Sequence, residues 1–202
     1  TWGRIDLLVN NAGALWWRDI LETPAKRYDL INNVNTRASF LLARECIPTM
    51  LNNGGGHIIN CSPPFFFRNR LAFKPSELKG KTAYMISKLG MTLSAMGLAE
   101  EYRGKGIASN TLWPITPIES YALINHKLGE KRHWRKPDII SDCILKIVKE
   151  DRNLFTGNQL IDEEYLRLKG VSDFSKYRCD KDYEPPQLKD IHHLWKAGFS
   201  KV

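Results

Sequence analysis

The sequence has no apolar run near the ~20 residues that a membrane-spanning helix needs. Its first residues, Thr1-Trp2-Gly3-Arg4-Ile5-Asp6, have neither the basic head nor the apolar stretch of a signal peptide, and there is no initiator Met. Because these residues run straight into a strand-like segment, the chain reads as cut from something longer. Cysteine is scarce: Cys46, Cys61, Cys143 and Cys179 show no C-x-x-C spacing. The expectation is therefore reduced, buried thiols in an intracellular compartment and no metal site. No G-x-S-x-G elbow occurs, which argues against a serine hydrolase. His192 and His193 adjoin each other in a polar stretch, and adjacent side chains do not converge on a metal. The formal charge of +8 comes without a nucleic-acid motif. Its clusters, Arg68, Arg70, Lys74, Lys79 and Lys81, then Lys127, Lys131, Arg132, Arg135 and Lys136, read as solvated surface rather than a nucleic-acid interface.

What is present is enough for one α/β domain, with 43% hydrophobic residues in 202. Ile5 to Val9 is a short apolar run suited to a buried parallel strand, ended by the small turn residues Asn10-Asn11-Ala12-Gly13. Thr23 as N-cap and Pro24 at the first helical position predict a helix to about Met50, stopped by Gly54-Gly55-Gly56. His57 to Cys61 is the next strand, with Ser62 at its end. An irregular stretch from Pro63 to Lys81 precedes a strong helix over about 82–103. That helix has two apolar stripes, Ala83, Ile86, Gly90, Leu93 and Gly97 beside Met85, Leu89, Thr92, Met96 and Ala99. It needs cover on more than one side, and a second subunit packed on it in a homo-oligomer is one source. Ile107 to Trp113, Pro137 to Lys149 and Asn158 to Ile161 read as strand, amphipathic helix and strand. Strands separated by helices imply a parallel sheet. Residues 1–171 form the expected domain, and 172–202 read as a loosely attached polar tail.

Tyr84 and Lys88 lie four apart on the strong helix, so their side chains share a face. An ammonium there is expected to pull the phenol down from its ordinary ~10 toward a range useful for acid/base work. Alone the pair is a weak signal. The order of the other features makes it specific: Asn-Asn-Ala-Gly ending a strand, Asn35 in the next helix, Ser62 ending the next strand, then Tyr84 and Lys88. This order resembles the short-chain dehydrogenase/reductase family. Val34-Asn35-Thr36-Arg37, Cys61-Ser62-Pro63-Pro64, Leu112-Trp113-Pro114-Ile115-Thr116 and Thr156-Gly157-Asn158-Gln159-Leu160-Ile161-Asp162-Glu163 resemble its hydroxysteroid dehydrogenase-like branch in particular.

The resemblance implies a Rossmann-type doubly wound parallel sheet. It also implies hydride transfer between NAD or NADP and a carbonyl or alcohol substrate, steroid or fatty acyl derivatives among them. Tyr84 would exchange the substrate proton, Lys88 would lower its pKa and hold the nicotinamide ribose, and Ser62 would hydrogen-bond the carbonyl oxygen. Asn35 would organise a proton-relay water. Asn10, Asn11, Ala12 and Gly13, with Pro114 and Thr116, would line the cofactor, Gly13 allowing close approach to the backbone. Asn10, Asn11 and Thr116 serve equally well as plain turn and loop residues, and Ser62-Pro63-Pro64 as a strand-ending turn.

Two departures stand out. The Ser62 to Tyr84 gap is long, which points to an insertion around Phe65-Phe66-Phe67. No Gly-rich phosphate-binding turn precedes Asn10, so the family's first strands and helices are expected to be missing and this chain alone to be inactive. A non-catalytic fragment or interaction module unable to bind dinucleotide is the alternative. Peroxisomal or mitochondrial residence follows from the resemblance, and the chain ends Ser200-Lys201-Val202, one residue from the S-K-L signal.

Overall fold

The computed structural model describes residues 3–67, 70–71 and 75–187. Arg68, Lys74, His192, His193 and the final tripeptide 200–202 lie outside the described residues. The chain divides into two compact units, Thr1–Trp113 with Val148–Leu160, and Pro114–Ile147 with Ile161–Val202.

The first unit is built on strands β1 (Leu7–Asn10), β2 (Gly56–Asn60) and β5 (Ile107–Trp113), with β6 (Gln159–Ile161) beside β5 in the order β1-β2-β5-β6. β1 pairs in parallel with β2, Leu7 opposite His57, and β2 pairs in parallel with β5, Gly56 opposite Ile107. β5 is predicted to the residue because all but the last of its side chains are buried, which makes a continuous strand of apolar and small polar residues. The glycine triplet does more than stop a helix. Gly55 has φ +110°, and a Cβ on it would fall 2.0 Å from the Gly106 carbonyl oxygen. Only glycine lets the starts of β2 and β5 come this close.

Between β1 and β2 the chain forms one continuous helical rod: α1 (Ala25–Asn32), a π-helical turn (Asn33–Arg37) and α2 (Ala38–Asn52). Its start is one residue later than the capping signals imply. Pro24 takes the extended N-cap position, and the Thr23 hydroxyl donates to the Asp19 carbonyl at 2.9 Å instead of capping. Ala43, Ile47 and Met50 of α2 pack with Ile58 and Ile107 in a dry cluster, with Ile5, Leu8 and Leu98 against it. The expected irregular stretch contains a small antiparallel hairpin, β3 (Phe66–Phe67) with β4 (Arg70–Leu71).

The long helix α3 (Thr82–Glu101) buries Ser87, Lys88, Met91, Thr92, Ala95 and Ala99. Of the two predicted stripes, the second has Thr92 and Ala99 fully buried, whereas in the first Ile86 and Leu93 are 49% and 59% exposed. The side chosen for burial is the more polar one, because its hydroxyls and ammonium find partners inside.

In the second unit, α4 (Tyr121–Asn125) is capped by the Ser120 hydroxyl, α5 (Asp138–Ile147) buries Ile139, Cys143 and Ile147, and α6 (Asp162–Leu168) buries Tyr165 and Leu166. The start of the stretch expected as a tail is fastened here. Tyr177 and Phe174 are buried, the Lys136 amide donates to the Tyr177 carbonyl at 2.7 Å, and the Tyr177 hydroxyl donates to Asp142 Oδ2 at 2.7 Å. Among the described residues no helix is long and apolar enough to cross a membrane.

Candidate active site

Three parts of the first unit meet at Asn35: the π-helical turn, the loop after β1 and helix α3. The residue sits in the π-helical turn and is fully buried. Such one-residue widenings of a helix recur at functional sites. Its Oδ1 accepts from the Ala14 amide at 2.9 Å, and its Nδ2 donates to the Ala14 carbonyl at 3.0 Å and to Ser87 Oγ at 2.9 Å. Both amide hydrogens and one acceptor position are therefore committed, and the side chain is a clasp between the loop after β1 and helix α3. A relay water organised by this side chain has little capacity left to hold it.

Lys88, one residue beyond Ser87, is 5% exposed. Its Nζ donates to the Cys61 carbonyl at 2.9 Å, lies 3.7 Å from Met91 Sδ and stands 5.9 Å from the centre of the Trp113 ring. Burial lowers its pKa, partly opposed by the neighbouring Cys61 thiol, and burial in turn pushes that thiol up to about 11. An ammonium has three hydrogens. One carbonyl and one weak sulfur acceptor leave it able to bind further oxygens.

Tyr84 is half-buried, with its ring edge-on to Trp17 at 6.0 Å between centroids. Burial raises its phenol well above the ordinary tyrosine range. The expected lowering by Lys88 is not what the geometry gives. The ammonium rests on the Cys61 carbonyl, and desolvation of the phenolate dominates, so the hydroxyl is held in its protonated form.

Ser62 is engaged inside the first unit rather than open to solvent. It is completely buried, and its Oγ lies 2.9 Å from Thr92 Oγ1, which also lies 2.7 Å from the Pro63 carbonyl. Thr92 is eight residues past Tyr84 on α3, about 12 Å along the axis. The hydroxyl joins the end of β2 to the middle of the helix. The next two residues are prolines, which have no N–H to offer a substrate oxygen in its place.

At the end of β1, Asn10 is buried and donates to Asn60 Oδ1 at 2.8 Å, while Asn60 donates to the Met91 carbonyl at 2.8 Å. This ties two strand ends to α3 and leaves Asn10 Oδ1 buried without a partner among the described residues. Asn11, Ala12 and Gly13 are exposed. A Cβ on Gly13 would come within 3.3 Å of Lys88 Nζ and 3.4 Å of Asn35 Oδ1, so the glycine lets the loop lie directly against those two side chains.

The short chain dehydrogenase family model matches residues 1–119. The chain belongs to that family. Hydroxysteroid dehydrogenase-like protein 2 of Mus musculus is 43% identical over 176 residues, 87% of this chain and 34% of that protein. Its counterpart in Xenopus tropicalis is 41% identical over 192 residues, 95% of this chain and 44% of that protein. A short chain dehydrogenase of Mycobacterium thermoresistibile has the same fold with a TM-score of 0.79 at 38% identity, over 92% of this chain and 64% of that one. The chain thus spans well under half the length of these curated relatives.

For a member of the short chain dehydrogenase family, the remaining predicted residues, Pro114 and Thr116, fall in the second unit. Thr116 is fully buried, with its hydroxyl unpaired among the described residues. The backbone between them is held by the Ile115 amide, which donates to Asp162 Oδ1 at 2.9 Å. Neither Ser87 nor Asp162 is among the residues predicted from sequence. The signal for Ser87 was available: a serine three residues after Tyr84 can reach back to that residue's carbonyl, and it does so at 2.7 Å.

Proposed function

We propose that the chain carries the proton-transfer machinery of an NAD- or NADP-dependent oxidoreductase that interconverts a carbonyl and an alcohol, with steroid or fatty acyl derivatives as the substrate class. The observation that carries the reading is the Asn35 clasp. One buried amide joins the loop after β1 to α3, and both it and Lys88 Nζ lie against Gly13 of that loop. The nicotinamide, when bound, supplies or accepts the hydride.

Asn11, Ala12 and Gly13 would border it, and Lys88 has donor capacity left for ribose hydroxyls. Tyr84 would give its phenolic proton to the substrate oxygen. Its raised pKa keeps that proton in place at neutral pH, the protonation state a donor to a carbonyl oxygen needs. Ser62 has no part at the substrate oxygen in this scheme. A homo-oligomer through α3 belongs to the same proposal, supported by the exposure of Ile86 and Leu93.

The test is Tyr84→Phe in the full-length protein. Turnover of a ketone and aldehyde panel with NADH or NADPH is expected to fall by about 10²–10⁴-fold. Cofactor affinity, followed by tryptophan fluorescence, should stay near wild type. Retention of most activity rejects Tyr84 as the acid. Absence of any cofactor binding by the wild-type protein favours the non-catalytic alternative.

A further inference from the structure

The serine between Tyr84 and Lys88 is not a bystander of the helix. Its position leaves no freedom in where protons go. Asn35 Oδ1 faces the Ala14 N–H, so Nδ2 must face Ser87, and Ser87 Oγ must accept from it. A hydroxyl has one hydrogen. That hydrogen goes to the Tyr84 carbonyl at 2.7 Å. The result is a directed chain, Asn35 Nδ2–H to Ser87 Oγ–H to Tyr84 C=O, running from the π-helical turn into the turn of α3 that presents the phenol.

Two further contacts grip the same turn from the same side. Thr36 Oγ1 donates to the Ser87 carbonyl at 2.5 Å. Gly90 leaves room for that threonine, because a Cβ there would fall 2.6 Å from Thr36 Oγ1. A helical serine that only needed to satisfy its own hydroxyl would be content with the carbonyl three residues back. Acceptance from Asn35 adds what self-satisfaction does not: it fixes the Tyr84 turn relative to Ala14 and Gly13.

We propose that Ser87 is a positioning residue, which through Asn35 and the Tyr84 carbonyl sets the phenol of Tyr84 against the loop that follows β1. The proposal rests on the reading of Tyr84 as the proton donor. Removing the hydroxyl leaves an amide hydrogen of Asn35 without its acceptor and lets the Tyr84 turn move. A displacement near 1 Å costs about 10²-fold in rate.

The experiment uses the full-length protein and Ser87→Ala. kcat is expected to fall by about ten- to a hundredfold, with KM for the carbonyl substrate nearly unchanged. The Ala14 amide should exchange its hydrogen faster, because its acceptor is no longer anchored. A purely structural serine would lower the melting temperature and leave both kcat and Ala14 exchange alone, and that result overturns the proposal. In an Asn35→Ala background, Ser87→Ala should cost nothing further; independent, multiplying losses also overturn it. Should Ser87→Ala not fold, Ser87→Cys keeps the size and weakens both hydrogen bonds, and wild-type kcat in that variant overturns the proposal equally. If the wild type itself shows no nicotinamide-dependent turnover, the oxidoreductase reading fails instead, and Ala14 exchange still decides whether Ser87 holds the clasp.

Discussion

The two units bury polar groups in opposite ways. Around Asn35 the first unit uses amides, hydroxyls and backbone, with one cation, Lys88, which rests on a carbonyl and a sulfur and pairs with no carboxylate among the described residues. The second unit is knit by charge. Arg135 is 1% exposed, and its Nη2 lies 3.0 Å from Glu163 and 2.7 Å from Glu184, while its Nη1 donates to the Phe174 carbonyl at 3.2 Å. Arg167 closes on Glu163 at 2.7 Å and Arg178 on Glu184 at 2.5 Å. A neutral network sets positions without fixing the charge of its members, which suits a place where a proton must move. A charged network holds only while every member is paired. Substitutions in the first should therefore show in rate, and in the second in stability.

The sharpest test of that contrast is Arg135→Ala. It leaves the buried Glu163 with the half-exposed Arg167 as its one remaining ion-pair partner among the described residues, and takes the guanidinium donor away from the Phe174 carbonyl. Breaking a buried pair by removing one partner costs about 3–5 kcal/mol. Chemical denaturation of the variant should show a loss of that order, whereas Tyr84→Phe should stay within about 1 kcal/mol of wild type. Equal losses in the two variants would erase the distinction between the units.

A smaller effect comes from Asp162. Burial raises its carboxyl to about 7, against the Ile115 and Glu163 amides and Arg135, which favour the charged form, and with Glu163, which disfavours it. The Cys143 thiol also packs here, 3.5 Å from the Asp162 carbonyl. An unfolded aspartate titrates near ~3.9, so between that value and about 7 the folded state holds a proton that the unfolded state has released. The stability from this group is thus fully present below the unfolded value and is lost as pH rises toward neutrality, at most on the order of a few kcal/mol. Asp162→Asn keeps an oxygen for the Ile115 amide and should flatten this part of the pH–stability curve. Superimposable curves for the two proteins would show that Asp162 does not titrate in this window.

The same contrast explains what could be read from sequence. The sheet was legible because β2 and β5 are continuous runs of buried residues, and Tyr84 and Lys88 because helical spacing puts them on one face. The π-helical turn was not, since one extra residue in a helical hydrogen-bond register leaves no mark on apolar periodicity. Ser62 was placed correctly at a strand end, yet its hydroxyl is used by Thr92, and nothing local to Ser62 reveals a partner thirty residues away. Arg135 looked like one more surface cation because its acids are 28 and 49 residues distant. The acidic first turn Asp162-Glu163-Glu164 after a strand was a usable helix-start signal for α6 that the strand pattern overshadowed.

The least drastic change, Gly13→Ala, tests the neutral network by crowding it. Gly13 does not have the positive φ that would strain an alanine, so any effect comes from space alone. The new methyl would stand 3.3 Å from Lys88 Nζ and 3.4 Å from Asn35 Oδ1, closer than carbon comfortably sits. Asn35 cannot yield freely, because its amide is held at Ala14 and Ser87. Lys88 is the softer neighbour, the end of a flexible chain held by one carbonyl. The shift should therefore fall on the ammonium and amount to a few tenths of an ångström. Stability should change by less than about 1 kcal/mol. Affinity for a nicotinamide dinucleotide should drop about three- to tenfold in the full-length protein, a loss of about 0.7–1.4 kcal/mol. Calorimetric titration with NADH and NADPH beside a thermal melt checks both. Unchanged affinity with a lowered melting point would mean that the loop after β1 only braces α3, and that the cofactor lies elsewhere than against Gly13 and Lys88.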